Sequence, residues 1–439
     1  MNVEVIIFLM LFSLIVLLFS GLPLVFTLGS LGIIFSYLLW GHKSLFMVAN
    51  QAFSVATTYF FVAIPLYVFM ADVLRHSGVI EDLYAAMYRW IGHIRGGLSM
   101  GTVLICTIMA AMTGIVGAAT TAMGLIALPP MLKRGYKKEI ALGSIAAGGT
   151  LGILIPPSVI TIVYAQTAGE SIGKMFMGGV FPGLLLSGLF IAYIGIRCLF
   201  QPHLAPPAPP NEVRVSWKEK FASLKALVLP SLIILGVLGS IYFGIATPTE
   251  AAGVGAIGAI ISSLVYRRFN WRVIKESCYD TLRVTSMIIW ITIAARIFIS
   301  AFNGVGGVEF VKHTIASLPF NRWIILIIMQ LSLVFYGLFL DEVGIILLCV
   351  PLYVPIIKAL GFNTLWFGIL FLINAQMDYI TPPFGYTLFY LKGVVPKGIT
   401  MGDIYRSVVP FVALQALALT LCIIFPDIIL WLPNTMKGG

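Results

Sequence analysis

The sequence predicts an all-α polytopic membrane protein, built as an inverted repeat of about ten transmembrane helices with two re-entrant hairpins. Three observations predict it. Of 439 residues, 60% are hydrophobic and 10% charged, and mean hydropathy is +1.03, a balance that suits lipid as the solvent. Two apolar stretches are interrupted in the same way, at Gly148–Ser158 and at Ile380–Gly385, each around a Pro-Pro pair. The interruptions also belong to a longer pattern that recurs at a near-constant spacing.

Taken in order, residues 4–40 form one apolar run with Gly21 and Pro23 near its middle. This suits two crossings joined by a tight turn, since a crossing needs roughly 20 residues. Residues 44–76 carry the next crossing, ending at Arg75. Residues 79–96 read as an amphipathic interfacial helix, with Tyr88 and Trp90 at headgroup level. The apolar run at about 98–131 is broken at Thr113–Gly117 and reads as a re-entrant hairpin with its tip there. A broken helix at about 138–167 follows, because paired prolines remove amide donors and clash with the preceding turn. A crossing at about 177–198 completes the first half.

Residues 201–220 are polar and Pro-rich, which predicts an extended, solvated connector. The division is 1–198, a linker at 199–225, and 226–439. In the second half the hairpin falls at about 322–357 and the broken helix at about 363–391.

The halves match in register. Pro129, Gly135 and Pro156 are spaced by 6 and 21 residues, and so are Pro355, Gly361 and Pro382. The offset is 226 (382 minus 156). Gly21–Pro23 corresponds to Ala246–Pro248 at 225, and Gly114 and Gly117 correspond to Asp341 and Gly344 at 227. Basic residues then set orientation. Loop 133–138 carries four Lys or Arg against Lys358 alone in its counterpart; loop 266–275 carries four against Lys43 alone. The asymmetry changes side between halves, which predicts inverted repeats, a cytoplasmic linker and external termini.

Composition also excludes functions. The net charge of +10 reflects cytoplasmic loops rather than nucleic-acid binding. Five scattered cysteines show no CxxC spacing, so neither a metal cluster nor a disulfide framework follows. The first residues lack a basic leader pattern, which points to an uncleaved first helix. HExxH and paired intramembrane histidines are absent from the sequence, so an enzyme is not expected.

At the two Pro-Pro breaks and the matched spacings around them, the chain resembles the large membrane subunit of the tripartite ATP-independent periplasmic (TRAP) transporters nearly end to end. The resemblance is carried by Gly124–Met131 with the following Lys-Arg-Gly-Tyr, by Gly149–Ser158, by Ala246–Gly253, and by Thr381–Gly385 leading into Leu388–Val394. It implies a sodium-driven importer of an organic acid that works by an elevator motion in the bacterial inner membrane. Substrate arrives on a periplasmic binding protein, and a small four-helix membrane subunit completes the scaffold. The chain shows no spare four-helix region, so that subunit is expected as a separate chain. The first hairpin tip departs from the Ser-Gly-Ser-like pattern of many members, which shifts coordination toward backbone carbonyls.

The sodium ions carried are the only cofactors expected. One is placed between the tip residues Thr113, Gly114 and Gly117 and the backbone around Gly152, Ile153 and Pro156. The bland alternative is that Gly114 and Gly117 only permit close helix packing. A second is placed at Asp341, Gly344 and Thr381, because an acidic residue at bilayer depth costs roughly 2.5–3.5 kcal/mol on insertion scales. A scaffold salt bridge is the alternative for Asp341. Asp378 has three readings: sodium ligand, proton carrier, or a residue facing the aqueous vestibule. Thr150, Ser158, Thr161, Asn374 and Gln376 are the candidate substrate partners, and half-helix N-termini near Ser158 and Phe384 would attract a carboxylate. Glu250 reads equally as a helix-opening residue.

Overall fold

The computed structural model describes residues 3–114, 116–209, 216–316, 319–383 and 385–437. Backbone in hydrocarbon has to satisfy its own polar groups, and no strand occurs among the described residues. Eight described helical stretches are long and apolar enough to cross a membrane, with shorter apolar helices between them.

Helices α1 (Val3–Phe19) and α2 (Leu24–Trp40) turn over Gly21, at φ +79°, and Pro23. The crossing expected within 44–76 falls at Tyr59–His76 and contains α4 (Ala63–His76), with a separate helix, α3 (Leu45–Ala56), before it. The Thr57 and Thr58 hydroxyls donate back to the Phe53 and Ser54 carbonyls at 2.8 and 2.7 Å. Such side-chain bonds compete with the helical ladder, and α3 stops there. α5 (Val79–Ile91) carries Glu81 and Asp82 in its first turn and Arg89 in its last, the favourable sense for the helix dipole.

The first hairpin is α6 (Gly97–Thr113), α7 (Val116–Ile126) and the short α8 (Leu128–Lys133). The first broken helix is α9 (Lys138–Thr150) and α10 (Val159–Ala168), followed by α11 (Ile172–Phe200). After the linker come α12 (Trp217–Ser223), α13 (Lys225–Tyr242), α14 (Pro248–Val265), α15 (Trp271–Gly304) and α16 (Gly307–Ala316). The second hairpin is α17 (Arg322–Gly337) and α18 (Glu342–Ala359). The second broken helix is α19 (Thr364–Asp378) and α20 (Tyr386–Val394), and α21 (Met401–Ile424) and α22 (Asp427–Asn434) close the fold.

The expectation of an extended, solvated linker needs correction. Leu204, Ala205 and Ala208 are buried. The Leu204 and Ala205 carbonyls accept from the Lys137 and Gly96 amides, and the Ala208 amide donates to the Gly92 carbonyl. Backbone polar groups freed by the prolines thus pair with the loops at the ends of the first hairpin. Trp217 then meets Trp90 edge-on. Residues 210–215 lie outside the described residues.

Helix starts repeat at the shift of 226: α9 and α19 begin at 138 and 364, α3 and α15 at 45 and 271. Two packing groups result. α2, α3, α4, α14 and α15 pack together, and α6, α7, α9, α19, α20 and α21 form the other group around α11. Glu250 does open α14: Thr247 and Glu250 form a capping box at 2.8 and 3.3 Å.

Candidate functional site

The site is assembled by an exchange between halves. α7, the return arm of the first hairpin, packs on α20, while α10 packs on α18, the return arm of the second. Each hairpin therefore reaches the broken helix of the other half.

At the first tip, α6 ends on Gly114 at φ +58°, and a Cβ there would overlap the Pro157 carbonyl oxygen. Glycine is needed twice, for the left-handed backbone and for the approach. A Cβ on Gly117 would lie 3.0 Å from the Tyr390 ring, which brings the second half against the first tip. The Thr113 hydroxyl is held by the Met109 carbonyl at 2.9 Å. Ile115 lies outside the described residues.

At the first break, α9 stops at Thr150, a 3-10 turn covers Leu151–Ile153, and α10 begins after Pro156-Pro157. The Ser158 hydroxyl caps α10 by accepting from the Thr161 amide at 3.4 Å, and the Thr161 hydroxyl donates to the Ile153 carbonyl at 3.2 Å. Gly152, Ile153 and Pro156 are all buried. One hydroxyl thus bridges the break and orients its free backbone.

The second break is built alike. α19 ends at Asp378, and the Thr387 amide donates to the Tyr379 carbonyl at 3.1 Å. Thr387 and Tyr379 are the counterparts of Thr161 and Ile153 at the shift of 226 (387 minus 161, 379 minus 153). The Thr381 hydroxyl donates to the Met377 carbonyl at 2.8 Å. Asp341 opens α18 at the second tip, and a Cβ on Gly344 would crowd its Oδ1 (2.8 Å) and Leu24 of α2 (2.5 Å). Glu342 reaches Tyr379. Phe384 lies outside the described residues.

Where the breaks cross, the Gln376 amide donates to the Thr150 hydroxyl at 3.1 Å, and Gln415 of α21 donates to the same hydroxyl at 3.3 Å. Thr150 in turn donates to the Ala147 carbonyl at 2.8 Å. All three side chains are fully buried. Asn374 and Asp378 lie on another face of α19, being four residues apart, whereas Gln376 is two from each. Asn374 donates to the backbone and side-chain oxygens of Gln330, both at 2.8 Å. The Asp378 carboxyl is turned to Gly337. The structure thus gathers Thr150 with Gln376, and Ser158 with Thr161, and it takes Asn374 to α17.

Sequence reasoning missed Gln330 and Gln415. Each is a lone amide inside an apolar run, a signal that intramembrane polar residues carry. Among the described residues no group of His, Cys, Asp or Glu is arranged to hold a tightly bound metal.

Both breaks face a cavity of about 650 Å³. Gly114, Gly117, Val159, Glu342 and Tyr379 line one wall, and Arg75, His76 and Met287 the other. Arg75 is held by Asp72 at 2.9 Å and Asp280 at 2.7 Å.

A helical membrane bundle with two broken helices crossing beside such a cavity is a multi-pass transporter fold. Comparison with a solved structure agrees on the fold: the YdaH transporter of Alcanivorax borkumensis superposes with a TM-score of 0.63 at 13% identity, over 97% of this chain and 100% of that one. The family model for the tripartite ATP-independent periplasmic transporter, DctM component, matches residues 11–428, and the chain belongs to that family. It is 32% identical to the C4-dicarboxylate TRAP transporter large permease protein DctM of Vibrio cholerae, over 95% of each chain. It is 29% identical to the isethionate TRAP transporter permease protein DctMQ of Oleidesulfovibrio alaskensis, over 93% of this chain and 63% of that protein. These relatives are permeases, and the chain is a transporter subunit rather than an enzyme.

Proposed function

We propose that the chain is a sodium-coupled importer of an organic acid, a carboxylate, keto acid or sugar acid, delivered by a periplasmic binding protein. The observation that carries this is the crossing of the two broken helices at Thr150 and Gln376, with a hairpin tip against each break and one cavity serving both. Discontinuous helices supply half-helix ends and free carbonyls to a substrate and its coupling ions.

One sodium sits between Thr113, Gly114 and Gly117 and the backbone of Gly152, Ile153 and Pro156. Sodium prefers several oxygens at once, and the unwound backbone offers them without buried charge. A second sits at Asp341, Gly344 and Thr381, where the carboxylate adds charge. The first half-helix, capped by Ser158, directs its amides at the substrate anion. Each sodium moving down ~100 mV supplies ~2.3 kcal/mol, and a tenfold gradient adds ~1.4 kcal/mol.

The divisions 1–198, 199–225 and 226–439 are proposed as inverted repeats joined by a cytoplasmic linker in the inner membrane. The hairpins and broken helices move as an elevator against the group containing α2, α4, α14 and α15. In this arrangement the cavity, whose far wall includes Arg75 and His76 beside the basic Arg268 loop, opens inward. A separate four-helix subunit completes the scaffold; the additional length of the DctMQ relative leaves room for such a subunit within one chain.

The test is uptake into proteoliposomes containing this chain and its small subunit, with and without a binding protein, under sodium or potassium gradients. Uptake that requires both sodium and the binding protein is expected. Sodium-driven uptake without a binding protein would instead make the chain a stand-alone dicarboxylate symporter, and uptake indifferent to sodium would overturn the ion sites.

A further inference from the structure

We propose that Arg268 is a positioning residue for transport: it wedges the joint between α4 and α5 and sets where the first hairpin rests. The joint is short. His76 pairs with Glu276 at 3.6 Å and Arg75 with Asp280 at 2.7 Å, so the chain up to His76 is tied to α15. Beyond it, α5 packs on α6 of the first hairpin. Rotation between the two groups is therefore left to Ser77 and Gly78.

Arg268 enters that joint from the turn between α14 and α15. The turn is anchored, because the Arg267 and Arg268 amides donate to the Leu264 and Ser263 carbonyls at 2.9 and 3.0 Å. Gly78 stands at φ +68°, and a Cβ there would overlap the Arg268 guanidinium. Glycine thus supplies both the left-handed backbone and the space for the wedge. One guanidinium nitrogen donates to the Ser77 carbonyl at 3.1 Å, and the other lies 3.6 Å from the Asp82 carboxylate. The same planar fork holds the carbonyl that follows α4 and the acidic first turn of α5. Both charged partners are partly exposed. Such a pair is weak by itself, which suits a contact that must be released when the arm swings.

The other half repeats the device. Gly304 is the counterpart of Gly78 at the shift of 226 (304 minus 78), and it ends α15 before α16, which packs on α18 of the second hairpin. A Cβ on Gly304 would overlap the Trp40 ring, at the end of α2. Each joint is thus filled by a side chain from the opposite half, a guanidinium in one and an indole in the other.

The effect on transport rests on the proposed elevator reading; the wedge itself does not. Cys278 of α15 is exposed and the other four cysteines are buried, so spin labels on Cys278 and on Ala85→Cys of α5 report the joint. In nanodiscs, electron–electron double resonance on the full chain should give one narrow distance population. Arg268→Gln should add a second population of comparable size and lower the maximal uptake rate several-fold. Arg268→Lys should not rescue either readout, since an ammonium lacks the planar fork that spans both partners. Arg267→Gln removes the same charge from the same turn and should stay within twofold of native. An unchanged distance distribution in Arg268→Gln, native-like behaviour of Arg268→Lys, or a shifted distribution with native uptake would overturn the proposal. Loss of sodium dependence in the native protein is a different readout and would count against the symport reading instead.

Discussion

The Gln376 amide donates to the Thr150 hydroxyl at 3.1 Å, and the two residues are counterparts in the repeat, 226 positions apart (376 minus 150). The contact joins the end of α9 to α19, where the two broken helices cross.

Thr150→Val should destabilise the protein by ~1–3 kcal/mol, because two buried amides lose their shared acceptor. Thr150→Ser should recover most of that. Thermal melting of the purified protein in detergent reads the difference, and equal midpoints for the valine and serine variants would refute the network's role.

Gly114→Ala forces a left-handed residue, at roughly 1–2 kcal/mol, and drives a methyl into the Pro157 carbonyl. Uptake should fall by about tenfold or more, as ~1.4 kcal/mol corresponds to tenfold. Gly393→Ala, where a Cβ meets nothing within 4 Å, is the matched control and should stay near native.

Asp341→Asn should raise the sodium concentration for half-maximal uptake by about tenfold, ~1.4 kcal/mol of ion binding. The helix start at Asp341 should survive, since Asn also serves at that position. An unchanged sodium requirement would exclude Asp341 as a ligand.

Arg75 joins α4 to α15 through Asp280 while neutralising the buried Asp72. Arg75→Gln should cost more stability than the Arg75→Gln/Asp72→Asn pair, because the single change strands a buried carboxylate. A double-mutant cycle by chemical denaturation measures the coupling. Additive effects would show that the bridge contributes little.

Much of the fold was legible because lipid leaves so few options: apolar runs had to be helices, and Pro-Pro pairs had to break them. The spacing that linked Pro156 to Pro382 also located helix starts in both halves. What escaped was decided by side chains in three dimensions. Thr57 and Thr58 end α3 through bonds to their own helix, and nothing in a Thr-Thr-Tyr-Phe-Phe run signals that outcome. Asn374 and Asp378 turn to α17 because Gln330 offers acceptors and Gly337 offers space. The sequence reading grouped Asn374 with Gln376 although a two-residue separation on a helix sends them apart.

The unbroken α15 has a mechanical consequence. Its 34 residues measure about 51 Å at 1.5 Å per residue, well beyond the ~30 Å of hydrocarbon. Its counterpart, α3 with α4, covers the same register but is jointed at Thr57 and Thr58. One half thus carries a stiff spar and the other an articulated arm. A load applied along the membrane plane would bend the jointed arm of α3 and α4 before the unbroken α15.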